Sequence, residues 1–277
     1  MNDTFNFSRF ITYFKYDLRQ MWRNHSKAAI FLCGAGLILY VIWVILSLLF
    51  TQSWTSPEFG ARVGVFFLAF FILALFQTRT YGHLTDRKAG ASWLMVPASR
   101  TEKFVSMLLI TLIIIPVFFI SVFSLLDGLF GLLDPTYGET FLSAGITGVY
   151  SERIGNIGSI GSKPLTEVID FTPGAIAVGC MADICAGYLY FLLCGISFKR
   201  HKTVNALLIL IGLSILIPMV LGLVAFAFSN GNFDIELDDE QAMHWLAGIL
   251  NAFVVLKYLV AAGLGWGIWH RIKSLQH

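Results

Sequence analysis

Long, almost uninterrupted apolar segments recur along this chain and decide what it can fold into. A transmembrane helix needs about 20 consecutive, mostly apolar residues. Six windows meet or approach that length: Ala28–Phe50, Gly60–Gln77, Phe104–Leu132, Pro173–Phe198, Val204–Phe228 and His244–Trp269. Charged residues make up only 13% of the chain, against about 25% in soluble domains. The sequence therefore predicts an all-α polytopic membrane protein with six transmembrane helices, in which residues 1–277 form a single transmembrane domain.

Positive charge is concentrated on one side of the predicted membrane. Most of the 19 Lys and Arg residues lie in the N-terminal segment, the second and fourth loops and the C-terminal segment. The opposite loops contain Arg62, Arg153 and Lys163, together with an acidic cluster at 234–240. Because Lys and Arg are enriched in cytoplasmic loops, we expect both termini to be cytoplasmic. The expected location is the inner (plasma) membrane of the cell. Cations scattered over short loops do not indicate nucleic-acid binding.

The N-terminal segment, residues 5–25, is amphipathic. With the periodicity of an α-helix, aromatic and aliphatic side chains such as Phe10 and Leu18 fall on one stripe, and Arg9 and Lys15 lie on the opposite face. An apolar face opposite a basic face is typical of a helix that lies in the plane of the membrane interface. The sequence therefore predicts an interfacial helix before the first transmembrane helix.

The second loop, residues 78–103, combines basic residues with a short apolar stretch. Ser99 followed three residues later by Glu102 is the capping-box pattern that starts a helix, and Pro97 favours a break before it. The stretch Trp93–Val96 is apolar although the loop is expected to face water. Such a patch marks a contact with lipid or with a partner protein. From these residues alone, a docking surface and a lipid-facing connector both stay open.

In this loop the chain resembles the membrane-spanning permease subunits of type-2 ATP-binding-cassette (ABC) exporters. The matching pattern is a charged pair, a glycine, an apolar stretch, and Pro-x-Ser-Arg followed by an acid. The residues that match it are Arg87, Lys88, Gly90, Trp93, Leu94, Met95, Val96, Pro97, Ser99, Arg100 and Glu102. In that family, the loop between the second and third spans carries a coupling helix that docks on a separate ATPase.

The resemblance implies a transport subunit with two kinds of partner, a separate ABC ATPase chain and a second permease subunit in a homo- or heterodimer. The partner-binding residues it implies are Arg87, Lys88, Gly90, Trp93, Leu94, Met95, Arg100 and Glu102. An ATP-independent carrier and a membrane sensor or accessory subunit are the alternatives. The extracytoplasmic loop, residues 134–172, is unusually long and leaves three options open, a folded cap, a hairpin and a flap.

Motifs of catalysis are missing from the sequence. The glycine-rich run at 155–163 lacks the Gly-Lys pair of a Walker motif, because Ser162 precedes Lys163. We find no pattern typical of catalytic residues, of a metal site or of a bound cofactor. We therefore expect the chain not to be an enzyme and not to hydrolyse ATP itself.

Two ionisable residues interrupt the apolar windows at similar depth, Asp183 in the fourth and Lys257 in the sixth. Charges inside a membrane are costly, and they usually pair or face a polar cavity. Asp183 and Lys257 are therefore candidate intramembrane polar residues. They form either a polar point in a translocation path or an ion pair that fastens two helices.

Overall fold

The structure, a computed structural model, describes residues 5–85, 90, 93, 95–143, 159–160, 163–164, 173–229 and 239–274. Its main elements are eight helices, α1 (Phe7–Cys33), α2 (Ala35–Phe50), α3 (Phe59–Thr80), α4 (Arg100–Leu109), α5 (Ile115–Leu133), α6 (Pro173–Ser197), α7 (Lys202–Ser229) and α8 (Asp239–Ser274). Between α5 and α6, the two-residue strands β1 (Ser159–Ile160) and β2 (Lys163–Pro164) pair in an antiparallel hairpin. A hairpin was one of the options that the sequence left open for this loop.

Among the described residues, five helical stretches are long and apolar enough to cross a membrane. They are Phe7–Phe50, Phe59–Thr85, Arg100–Leu133, Lys202–Val220 and Ala252–Ser274. Helix α6 is 25 residues long, about 37 Å at 1.5 Å per residue, and its described apolar part covers Met181–Ser197. The chain is therefore an all-helical, multi-pass membrane protein.

Helix α1 joins two segments that the sequence analysis had separated. The predicted interfacial helix, residues 5–25, and the start of the first apolar window lie on one continuous helix that ends at Cys33. The reason is local, because residues 22–28 contain neither Gly nor Pro and the helical hydrogen bonds continue through them. The break comes instead at Gly34, where α2 begins. At the other end, the side chain of Asn6 caps α1 by accepting the N–H of Ser8 at 3.0 Å.

The third predicted span is one rod made of α4, a π-helical turn at Ile110–Ile114, and α5. Pro116 lies directly after the π turn, in the first turn of α5. Proline has no N–H to donate, and its ring clashes with the carbonyl four residues earlier. A π turn widens the helix locally and relieves that clash. The wider turn thus accommodates Pro116 within a continuous helical span.

Helix α6 occupies the centre of the described structure, where it packs against α3, α7 and α8. Close approach to α3 depends on Gly195, since a Cβ atom there would lie 2.7 Å from the carbonyl oxygen of Thr78. Small residues at such crossings are how membrane helices gain packing contacts. A separate cluster of buried aromatic side chains joins α3 to α5, with Phe66, Phe119 and Phe123 at its centre.

Candidate functional site

The start of α4 is held by the N-terminal helix. The capping box predicted from the sequence is present, with the N–H of Glu102 donating to Ser99 Oγ at 3.2 Å and the N–H of Ser99 donating to Glu102 Oε2 at 2.9 Å. The same carboxylate accepts hydrogen bonds from Arg9 Nη2 at 2.7 Å and from the N–H of Asn6 at 2.8 Å. Glu102 is fully buried by these contacts. Its side chain therefore positions α1 on α4 and is not accessible to a partner protein.

Trp93 forms hydrogen bonds with both α1 and α4. Its indole N–H donates to the hydroxyl oxygen of Tyr13 at 3.1 Å, and its carbonyl oxygen accepts a hydrogen bond from Lys103 Nζ at 2.8 Å. The Lys103 ammonium also lies 4.7 Å from the centroid of the Trp93 ring, within the range of a cation–π contact. Trp93 is thus a half-buried side chain fixed between α1 and α4.

The remaining predicted partner-binding residues have different environments. Gly90, Trp93 and Met95 have helical backbone conformation, and Met95 is 81% exposed whereas Gly90 is buried. Arg100 is half-buried in the first turn of α4. Arg87, Lys88 and Leu94 lie outside the described residues. The described part of the predicted docking surface is therefore the exposed thioether of Met95, beside the fixed Trp93.

Asp17 is a third anchor that the sequence analysis missed. Its carboxylate is buried, and it accepts hydrogen bonds from Ser106 Oγ at 2.7 Å and from the hydroxyl of Tyr81 at 3.1 Å. It thereby joins α1 to α4 and to the end of α3. A signal was present in the sequence, because an acid at position 17 falls within the apolar stripe that also contains Phe10 and Phe14.

Asp183 and Lys257, the two predicted intramembrane polar residues, are ion-paired. Lys257 Nζ lies 2.6 Å from Asp183 Oδ1, which links α6 to α8. The pair is not enclosed by this chain, since 45% of the Asp183 side chain and 38% of the Lys257 side chain are exposed. Asp183 also borders a cavity of about 780 Å³ between α3, α6, α7 and α8, lined largely by aromatic side chains.

A second ion pair, Arg62–Asp127, was not predicted. Arg62 Nη1 lies 2.8 Å from Asp127 Oδ1, and each side chain is only 2% exposed. Asp127 also accepts hydrogen bonds from the Tyr137 hydroxyl at 2.8 Å and from the N–H of Phe141 at 2.7 Å. Arg62 donates to the carbonyl oxygen of Glu139 at 2.6 Å. The sequence analysis treated Arg62 as a loop residue, although it lies within an apolar window.

These contacts group the predicted residues into two separate places. Trp93, Arg100 and Glu102 lie together where α1 meets α4, and Asp183 and Lys257 lie together between α6 and α8. Among the described residues, the first place presents an exposed apolar group to its surroundings and the second presents a charged pair. We find no protein-family model, no curated protein and no solved structure that matches this chain.

Proposed function

We propose that this chain is the membrane-spanning permease subunit of an ATP-driven ABC exporter. In this proposal it crosses the inner membrane six times, with α6 as one of the spans and both termini in the cytoplasm. The N-terminal part of α1 lies at the membrane interface. A separate ATPase chain supplies the energy, and a second permease subunit completes the translocation path.

The proposal rests on the position of Met95, an exposed side chain close to a residue that contacts both α1 and α4. This side chain is 81% exposed, and it lies two residues from Trp93, which is bound to Tyr13 on α1 and to Lys103 on α4. A force applied at Met95 therefore reaches two helices at once. Helix α4 continues through the π turn into a membrane span, so a movement there extends into the membrane. A coupling surface needs such an arrangement, and a connector that only sets topology does not.

The second permease subunit has a physical rationale in the Asp183–Lys257 pair. An ion pair facing lipid hydrocarbon is costly, and this chain leaves more than a third of each side chain uncovered. A neighbouring subunit on that face would cover the pair or enclose a polar passage next to it. The adjoining cavity of about 780 Å³ is large enough for a small-molecule ligand, and its aromatic lining suits an apolar or amphipathic cargo.

The same cavity also favours the second candidate, an ATP-independent carrier. A cavity with a charged pair at its edge exists within one chain, and a carrier would require no ATPase. Transport by the purified chain in ATP-free vesicles would support the carrier. Transport that needs ATP and a second protein would support the exporter subunit.

The proposal is tested by recovery of an ATPase with affinity-purified protein from native membranes. Met95→Asp introduces a charge at the exposed position and should lower ATPase recovery by about 30-fold, the effect of losing a hot-spot side chain worth about 2 kcal/mol. Arg200→Asp, at an exposed position before α7, is the matched control and should leave recovery unchanged. ATPase recovery that is equal for Met95→Asp and wild type, at equal expression, would contradict the docking role.

Trp93→Ala is a less specific probe of the same surface. It removes the proposed anchor, but it also removes the hydrogen bond to Tyr13 and the ring beside Lys103. Loss of ATPase binding in Trp93→Ala could therefore follow from a displaced α1. Trp93→Phe retains an aromatic ring next to Lys103 but lacks the hydrogen bond to Tyr13. Comparing ATPase recovery with Trp93→Ala and with Trp93→Phe therefore separates a loss of the docking side chain from a displacement of α1.

A further inference from the structure

A second large cavity, of about 620 Å³, lies between α1, α3 and the rod formed by the π turn and α5. Its walls are apolar, with Leu18, Trp22, Leu73 and Phe118 among the lining residues. Two cations of α1, Lys15 and Arg19, also line it, and both are exposed. The cavity thus combines an apolar interior with a basic rim, the two properties of a site for an amphiphile with a negatively charged head.

The described carboxylates near this cavity do not neutralise the positive charge of Lys15 and Arg19. None of its described lining residues is Asp or Glu. The carboxylate of Asp17, on the same helix, is buried against Tyr81 and Ser106. Glu102 is occupied by Arg9. An anion at the rim would therefore meet Lys15 and Arg19 without competition from those two carboxylates.

Gln77 forms part of the closed inner wall of the cavity. It lines the cavity and is only 1% exposed, and its Nε2 makes a long contact of 3.4 Å with the carbonyl oxygen of Leu73. An amide this enclosed is not reached by a ligand, so the polar contacts open to a head group are those of the basic rim.

The depth of this wall fits the head-group region. Gln77 lies three residues before the end of α3 at Thr80, or about 4.5 Å along the helix. A lipid head group at the basic rim, with the acyl chain continuing along the apolar wall, would be at this level.

We infer that this cavity binds an anionic phospholipid. Its phosphate lies at Lys15 and Arg19, and an acyl chain packs against Trp22 and Phe118, whose rings contact each other edge to face. Basic pockets between membrane helices are known sites for anionic head groups, and the volume is within the usual range for ligand sites. The inference needs only a bilayer around the chain and does not depend on an ATPase partner.

The first test compares lipids retained by the full chain after extraction from vesicles of equal phosphatidylglycerol and phosphatidylcholine content, measured by native mass spectrometry. Wild type should retain phosphatidylglycerol preferentially. The double variant Lys15→Ala/Arg19→Ala should lose about 30-fold of that preference. Arg23→Ala/Lys27→Ala removes the same charge from exposed positions of the same helix that do not line the cavity, and it should change the preference less than threefold.

One further variant separates the site from a general surface charge. Ala29→Trp fills the cavity and should reduce retention of both lipids, with helical content by circular dichroism unchanged. Equal retention of phosphatidylglycerol and phosphatidylcholine by wild type, or equal losses in the two double variants, would overturn the inference.

Discussion

Two ion pairs between described membrane helices have opposite surroundings. Arg62–Asp127 is 2% exposed on both sides and is enclosed by further hydrogen bonds. Asp183–Lys257 has a shorter separation, 2.6 Å against 2.8 Å, but more than a third of each side chain is uncovered. A short distance therefore does not show how complete a pair is. The exposed fraction of each side chain does.

Arg62–Asp127 is enclosed within the single chain, whereas Asp183–Lys257 is open to whatever lies against α6 and α8 in the membrane. Breaking a fully buried pair leaves an uncompensated charge in a medium that cannot solvate it. The contribution of the partly exposed pair to stability depends instead on what lies against α6 and α8. We expect the first pair to act on the stability of the single chain and the second to act mainly in the assembled membrane protein.

The largest effect should follow from Asp127→Ala. This change leaves Arg62 buried with its main acceptor gone, and the loss of one partner of a buried pair costs about 3–5 kcal/mol. The free energy of unfolding in mild detergent is the measurement. Glu139→Gln is the matched control, because Glu139 contacts Arg62 through its backbone carbonyl. A loss below 1 kcal/mol for Asp127→Ala would contradict the contrast between the two pairs.

An intermediate effect is expected at Glu102, where one partner of the pair is buried and the other, Arg9, is 36% exposed. Glu102→Ala removes both the capping box and the ion pair and should cost about 2 kcal/mol. Glu102→Gln retains a capping-box acceptor but no charge, and it should cost about half as much. Equal losses for the two variants would assign the whole effect to the charge. The measurement is again the free energy of unfolding.

A smaller coupling is expected for Asp183 and Lys257 in the solubilised single chain. The sequence alone suggests a cost of about 3–5 kcal/mol for losing one partner. The observed exposure lowers that expectation, because exposed pairs contribute about 0–1 kcal/mol. Asp183→Ala, Lys257→Ala and the double variant form a double-mutant cycle whose coupling energy isolates the pair. A coupling energy between Asp183 and Lys257 of about 3–5 kcal/mol, as expected for a fully buried pair, would contradict the contrast between the two pairs.

The last effect, a loss of stability in acid, concerns Asp134 at the end of the span that contains Asp127. Burial alone would raise its pKa, but hydrogen bonds from Thr136, Trp54 and Tyr40 lower the pKa from 3.8 to about 2. Because the folded pKa is below the unfolded one, the contribution to stability is complete above about pH 4 and is lost as the pH falls towards 2.

Asp134→Asn tests this pH dependence. The variant should lack the part of the acid destabilisation that the native chain shows between about pH 4 and pH 2. Unfolding midpoints of both proteins at a series of pH values give the difference. Parallel pH profiles would show that the four hydrogen bonds to this carboxylate do not favour its charged form.

The sequence predicted the elements that depend on local patterns. Five of the six apolar windows coincide with described helices that are long and apolar enough to cross a membrane, and the spacing of Ser99 and Glu102 predicted the start of α4. Depth along a helix brought Asp183 and Lys257 to the same level. Each of these properties depends on composition or spacing within a single segment.

Contacts between distant segments could not be predicted in the same way. Arg9 and Glu102 are 93 residues apart, and no local pattern connects them. Arg62 was assigned to a loop because charges were counted by side of the membrane, whereas α3 begins at Phe59 and turns this side chain inward. Which side chains of two helices face each other depends on rotation about their axes, and the positions of charges along the sequence do not give that rotation.

The π turn in the third span sets a constraint on length that substitution data alone would not reveal. On one side of it, Met107 packs with α6 and α8, and on the other side Phe119 packs with α3. One residue corresponds to about 100° of rotation about a helix axis, and a π turn holds one residue more than an α-helical turn. Deletion of a single residue from Ile110–Ile114 would therefore retain both faces only if the wide turn closed, which would bring the Pro116 ring against the carbonyl four residues earlier. We expect this segment to tolerate the exchange of one apolar residue for another but not a change in their number.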